Sequence, residues 1–312
     1  MLRRAAPPSL GAMVVASNLV NIRSSEVGGW ELREAGPAGS RATALLLPGG
    51  MASAAFYDDV LAYATLADPD ARLVAATPPG FAGRRAPTDV SVDSFARLAC
   101  ELAARLDCRI VVGHSYGANI AIEMAATGGF DGQLILLSPT FSRRDEFKGL
   151  GVVDLIGRVP AIGRLVWAAV PLAISRALRS SLPPARRDQL TAELRRNEPQ
   201  VCRRMVRRYF EYLERSPPLA QRLCETGVPT WVLFGDHDEV GLTTEERGDL
   251  QACPHVALDT LAGATHMLIA EEPKRIAELV LGIANGSTRA DEAWGAPGIE
   301  PGIDAATRHG AL

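Results

Sequence analysis

The chain has 312 residues, of which 47% are apolar, 5% aromatic and 22% charged, with a formal net charge of −3. This length makes one large α/β domain or two ordinary ones, with a sizeable core in either case. The composition excludes collagen-like, coiled-coil and wholly disordered chains, and the near-balance of charge gives no reason to expect nucleic acid as a partner.

Taken from the N-terminus, residues 1–18 carry Arg3 and Arg4 before small apolar residues, but Pro7 and Pro8 interrupt any signal-peptide core. A flexible leader is expected there, with Met13 as an alternative start. Short apolar runs follow at 42–47, 72–76, 109–112, 133–137, 230–234 and 255–261. Each suits a strand buried on both faces, and most end in a Gly, Pro or Ser turn. Between them Val92, Phe95, Ala99, Leu102 and Leu106 recur at helical spacing behind Ser91, a candidate N-cap, while Pro273 opens a helix through Ile276, Leu279, Val280 and Ile283. The alternation predicts an α/β fold with a mostly parallel sheet and helices on both faces.

The alternation lapses once, across 141–224, which is helical and punctuated by prolines. That segment is expected to form an all-helical cap between the core segments 19–140 and 225–285. It holds 17 Lys plus Arg against 8 Asp plus Glu, so the remainder of the chain is strongly acidic. Within it Val201, Met205, Val206, Tyr209, Phe210 and Leu213 share one helical face, with Arg203, Arg204, Arg207 and Arg208 opposite. The apolar face could roof a site. The basic face is either a solvated surface or a dock for an acidic carrier protein or an anionic membrane surface. Residues 149–178, with Val152, Val153, Ile156, Val159, Ile162, Leu165, Val166 and Trp167, are apolar enough to line an acyl pocket, and core packing explains them equally well. Residues 286–312 read as a disordered, solvated tail.

No uninterrupted apolar run reaches the ~18 residues a transmembrane helix needs. Five cysteines, Cys100, Cys108, Cys202, Cys224 and Cys253, make no CxxC pair. Their odd number argues against a disulfide framework and leads to an expected cytoplasmic location.

The strongest local signal is Gly113-His114-Ser115-Tyr116-Gly117, between a strand-like run and the helix-like 118–126. A serine at a sharp strand-to-helix turn needs small neighbours, and the turn exposes its hydroxyl beside a helix N-terminus. With this motif in this context, the sequence resembles the α/β-hydrolase superfamily over residues 20–285, with 141–224 in the position of that family's variable cap. The resemblance implies Ser115 as nucleophile and His266, after the last strand and before the final helix, as its base. Asp238, three residues after the strand-ending Gly235, is then the acid, with Asp236 the alternative. The backbone of Tyr116 supplies one oxyanion donor. The second comes from Pro48-Gly49-Gly50-Met51, which resembles the family's His-Gly loop with proline replacing histidine, and the choice between Gly50 and Met51 stays open. Thr77-Pro78-Pro79-Gly80-Phe81 resembles a structural turn of the family.

The implied activity is that of a serine hydrolase cleaving a medium-sized apolar ester or thioester through an acyl-enzyme, with no metal or organic cofactor required. The same triad supports acyl transfer, carbon–carbon bond hydrolysis or lyase chemistry, and the scaffold also serves as a noncatalytic ligand receptor.

Overall fold

A computed structural model describes residues 20–40, 43–146, 148–157 and 159–287. The expected leader, the start at Met13 and the tail beyond residue 287 lie outside the described residues.

Eight strands form one sheet in the order β1-β2-β4-β3-β5-β6-β7-β8. They are β1 (Arg23–Val27), β2 (Trp30–Ala35), β3 (Thr43–Leu47), β4 (Arg72–Thr77), β5 (Ile110–His114), β6 (Gln133–Leu137), β7 (Thr230–Gly235) and β8 (Val256–Leu261). The six strands from β3 onward run parallel, and β3, β5 and β7 are buried along their whole length, which is why each reads as a continuous apolar run. β1 and β2 were not evident in the sequence. They add an antiparallel hairpin at one edge; four of the five β1 residues are exposed, so β1 has no apolar periodicity, while β2 buries Trp30, Leu32 and Ala35.

Helices α1 (Asp58–Ala67), α2 (Val92–Leu106) and α3 (Tyr116–Ala126) connect the first parallel strands. Ser91 caps α2 by accepting the Ser94 N–H at 3.2 Å, as the sequence predicts. From β3 the chain steps one way to β4 and then back past β3 to β5. Right-handed crossovers therefore put α1 and α2 on opposite faces. The helix after β8 returns to pack on α1.

Among the described residues, five α-helices lie between β6 and β7: α4 (Lys148–Gly157), α5 (Pro160–Ala177), α6 (Arg187–Arg195), α7 (Pro199–Leu213) and α8 (Leu219–Glu225). α9 (Thr244–Ala252) joins β7 to β8, and α10 (Leu268–Glu271) and α11 (Pro273–Ala284) follow β8. The six apolar positions of α7 face inward, and Arg204, Arg207 and Arg208 face solvent. The Tyr209 ring meets the Tyr116 ring edge-on at 5.2 Å, and the Tyr209 and Tyr212 hydroxyls donate to the side-chain and backbone oxygens of Asn119 on α3. Ahead of α6, Arg186 pairs with Asp58 and Asp59 and donates to the Ala55 carbonyl. Asp58 also receives Arg33, so this nearly buried carboxylate is doubly compensated.

Two expectations need correction. Cys224 and Cys253 form a disulfide joining α8 to the end of α9, while Cys100, Cys108 and Cys202 are free. Spacing could not reveal a pair closed by the approach of two helices. Val152, Ile156, Val159 and Leu165 do not line a pocket but face solvent, whereas Trp167 is fully buried. The side chain of Ile162 lies outside the described residues. No helix among the described residues is long and apolar enough to cross a membrane.

Candidate active site

The strand order reverses at β3, so the C-terminal ends of the parallel strands β3 and β5 flank the position where open α/β sheets bind ligands. Ser115 stands at the end of β5 with φ 50° and ψ −118°, a conformation that costs a non-glycine residue about 1–3 kcal/mol. Hydrogen bonds hold it there: Ser115 N–H donates to the Leu137 carbonyl at 2.8 Å, and the Ser115 carbonyl accepts from Ala118 and Asn119. The flanking glycines are required for space. A Cβ on Gly113 would lie 2.4 Å from the Gly117 carbonyl oxygen, and one on Gly117 would lie 2.3 Å from that of Leu47.

His266 lies in the loop after β8, and its Nδ1 is 3.0 Å from Asp238 Oδ1 and 3.3 Å from Oδ2. The side chain of Asp238, beyond β7, is 1% exposed, so its charge must be met by donors. Three meet it: His266, the Val240 N–H at 2.8 Å and the Ser138 hydroxyl at 2.5 Å. Asp236 instead accepts the Gly263 N–H at 2.7 Å, within the same loop pair but away from His266. The geometry thus brings Asp238, rather than Asp236, to the histidine. Nδ1 being turned to the carboxylate, Nε2 is the nitrogen left for proton transfer.

The turn after β3 lies beside Ser115. A Cβ placed on Gly50 would come within 3.6 Å of Tyr116 Cβ, and one on Gly49 within 3.5 Å of Ser115 Cβ. Met51 adopts φ 65° and is buried. Tyr116 opens α3, so its N–H belongs to the first helical turn, where backbone donors lack intrahelical acceptors. Its side chain points into an aromatic group with Phe81, Phe95 and Tyr209. Phe81, from the expected structural turn, is fully buried there.

Three residues that sequence reasoning passed over support these groups. Ser138, at φ 49° just past β6, is the donor to Asp238 described above. His114 is buried beneath His266, with ring centroids 5.1 Å apart and its Nε2 2.8 Å from the His266 carbonyl oxygen. Burial, and next the nearby His266, push its pKa down to about 3. A neutral ring with Nε2 protonated therefore donates to that carbonyl. The third is Asn197, between α6 and α7 and 3% exposed. Its amide donates to the Met51 carbonyl at 2.7 Å and to Leu194 at 2.8 Å, while its oxygen accepts the Ala82 N–H at 3.0 Å. A residue from the helical segment between β6 and β7 thereby grips the turn beside Ser115. The only sequence signal was an asparagine in an otherwise charged stretch.

Among the described residues no cluster of histidine, cysteine or carboxylate could hold a metal ion.

The profile of the Alpha/beta hydrolase family matches residues 44–279, which span the sheet from β3 onward, the intervening helices and all the residues above. The chain belongs to this family. No curated protein sequence matches it. Among solved structures, an esterase from Rhodococcus superposes with a TM-score of 0.61 at 20% identity, over 85% of this chain and 98% of that one. An esterase from Thermogutta terrifontis gives 0.64 at 17%, over 85% and 97%. A thioesterase domain from the curacin biosynthetic pathway gives 0.60 at 17%, over 84% and 99%. At such identities the likeness is one of fold.

Proposed function

We propose that this alpha/beta hydrolase family member is a serine hydrolase that cleaves a medium-sized apolar ester or thioester through an acyl-enzyme. The observation that carries the reading is the pairing of His266 Nδ1 with a buried, three-donor Asp238 at the same sheet edge where Ser115 is held in a strained turn. Ser115 Oγ attacks the acyl carbon while His266 Nε2 takes the hydroxyl proton, and Asp238 stabilises the resulting imidazolium. The carbonyl oxygen, now negative, receives hydrogen bonds from the Tyr116 N–H and from the turn containing Gly50 and Met51. Collapse of the tetrahedral intermediate expels the alcohol or thiol, which leaves with the proton from His266. Water, deprotonated by the same histidine, then attacks the acyl-serine, and the acid is released as His266 returns that proton to Ser115 Oγ. Fold neighbours that are an esterase and a thioesterase agree with acyl chemistry. Serine at the nucleophile position disfavours reactions that need a carboxylate nucleophile.

Intact mass after exposure to a fluorophosphonate probe tests the proposal. A single adduct, lost in Ser115→Ala and formed more slowly in His266→Ala, is expected. A folded wild type that takes no adduct and turns over no p-nitrophenyl ester of any chain length would overturn it in favour of a noncatalytic receptor.

A further inference from the structure

The α4–α5 hairpin presents an unusual surface. Large apolar side chains in contact with water cost free energy, and a monomer seldom gathers many of them in one element. Among the seven large apolar side chains exposed in the described residues, six lie here: Val152, Leu155, Ile156, Val159, Leu165 and Leu172. Val152, Leu155 and Ile156 are spaced by three and four residues and so share one side of α4. On α5, Leu165, which is 76% exposed, shares a side with Ala168, Ala169 and Leu172. The opposite side of α5 is anchored inward by the buried Trp167 and Val170.

Charge says what covers this surface. Residues 148–177 contain four basic side chains and one acidic one. The acid, Asp154, is turned inward and buried near Arg143. Arg164 and Arg176 bracket the apolar stripe of α5, both exposed and without an ion pair among the described residues. The outward face is therefore apolar with a positive border and no carboxylate. We infer that the α4–α5 hairpin docks on an anionic lipid surface, its leucines entering the boundary between headgroups and acyl chains and its arginines meeting lipid phosphates. A second copy of the chain fits poorly, since a two-fold pairing of this face would oppose arginine to arginine with no acid between them. The inference does not depend on the chemistry at Ser115.

Co-flotation of the full chain with vesicles tests it, comparing phosphatidylglycerol mixed with phosphatidylcholine against phosphatidylcholine alone. The wild type is expected to float with the phosphatidylglycerol vesicles and to detach as salt is raised. Leu165→Ser combined with Leu172→Ser should lower partitioning by about ten-fold or more, from the loss of two buried apolar side chains. Arg164→Gln combined with Arg176→Gln should lower it by roughly ten-fold on phosphatidylglycerol vesicles and leave phosphatidylcholine vesicles unaffected. All four positions are exposed, and an unchanged thermal melt verifies folding. Failure of the wild type to float, or flotation unaltered by the leucine substitutions, overturns the inference. So does a dimer in sedimentation velocity that the leucine substitutions dissolve, which would assign the face to a second copy.

Discussion

Replacing Asn197 tests whether the helical segment between β6 and β7 supports the proposed site. Its side chain satisfies three buried backbone groups: the Met51 and Leu194 carbonyls and the Ala82 N–H. In Asn197→Ala all three lose this partner. An orphaned buried group costs about 1–3 kcal/mol, so a loss near 3 kcal/mol is expected once water reaches part of the site. The effect on rate follows from Met51, whose φ of 65° is unfavourable for a side-chain-bearing residue and persists only while its surroundings hold it. Released, the turn carrying Gly50 and Met51 shifts away from the position where the oxyanion forms. Outright removal of an oxyanion donor costs about 10²–10³ in kcat. A displaced donor should cost roughly 10–100-fold, with little change in KM, because the donor acts on the transition state. The assay is kcat and KM on a p-nitrophenyl ester, below the variant's melting temperature, with Asn197→Asp alongside. Aspartate keeps an acceptor for Ala82 but sets an anion against the Met51 carbonyl, so it should not restore kcat. A folded Asn197→Ala with kcat within two-fold of wild type would refute the reasoning.

Asp238→Asn should lower kcat by about 10⁴, as loss of the orienting carboxylate does in comparable triads, while Asp236→Asn, which disturbs the contacts to Gly263 and His237 but none to His266, should leave most activity. Equal effects on probe labelling of Ser115 would contradict the assignment. His114 gives a pH prediction. Its folded pKa of about 3 lies below the ordinary 6.5, so between these values the unfolded chain binds the extra proton and stability falls as pH falls. His114→Gln should flatten the stability–pH curve in this window by up to roughly 1.4 kcal/mol per pH unit, measured by urea unfolding. An unchanged slope would mean that the ring is not held neutral.

Much of the fold was legible because its signals are local. Parallel strands buried on both faces are continuous apolar runs, and a strand, Gly-His-Ser-Tyr-Gly and a helix in succession mark a turn whose small residues have no substitute. The strand hairpin at the sheet edge was silent because β1 buries almost nothing. The resemblance ranked Asp238 ahead of Asp236 by its position after the strand-ending glycine, and the loop then carries only the Asp238 carboxylate to His266. The supporting contacts were invisible for another reason: Ser138 meets Asp238 across 100 residues of chain, Asn197 meets Met51 across 146, and His114 meets His266 across 152. The sequence by itself determined the layered α/β architecture and the turn that carries Ser115, since periodicity and turn chemistry act over a few residues. Only the tertiary structure decided which donors meet the Asp238 carboxylate, that Asn197 grips the turn beside Ser115 and which apolar residues stay in water. Those outcomes depend on burial and hydrogen-bond direction, which exist only once distant segments have packed.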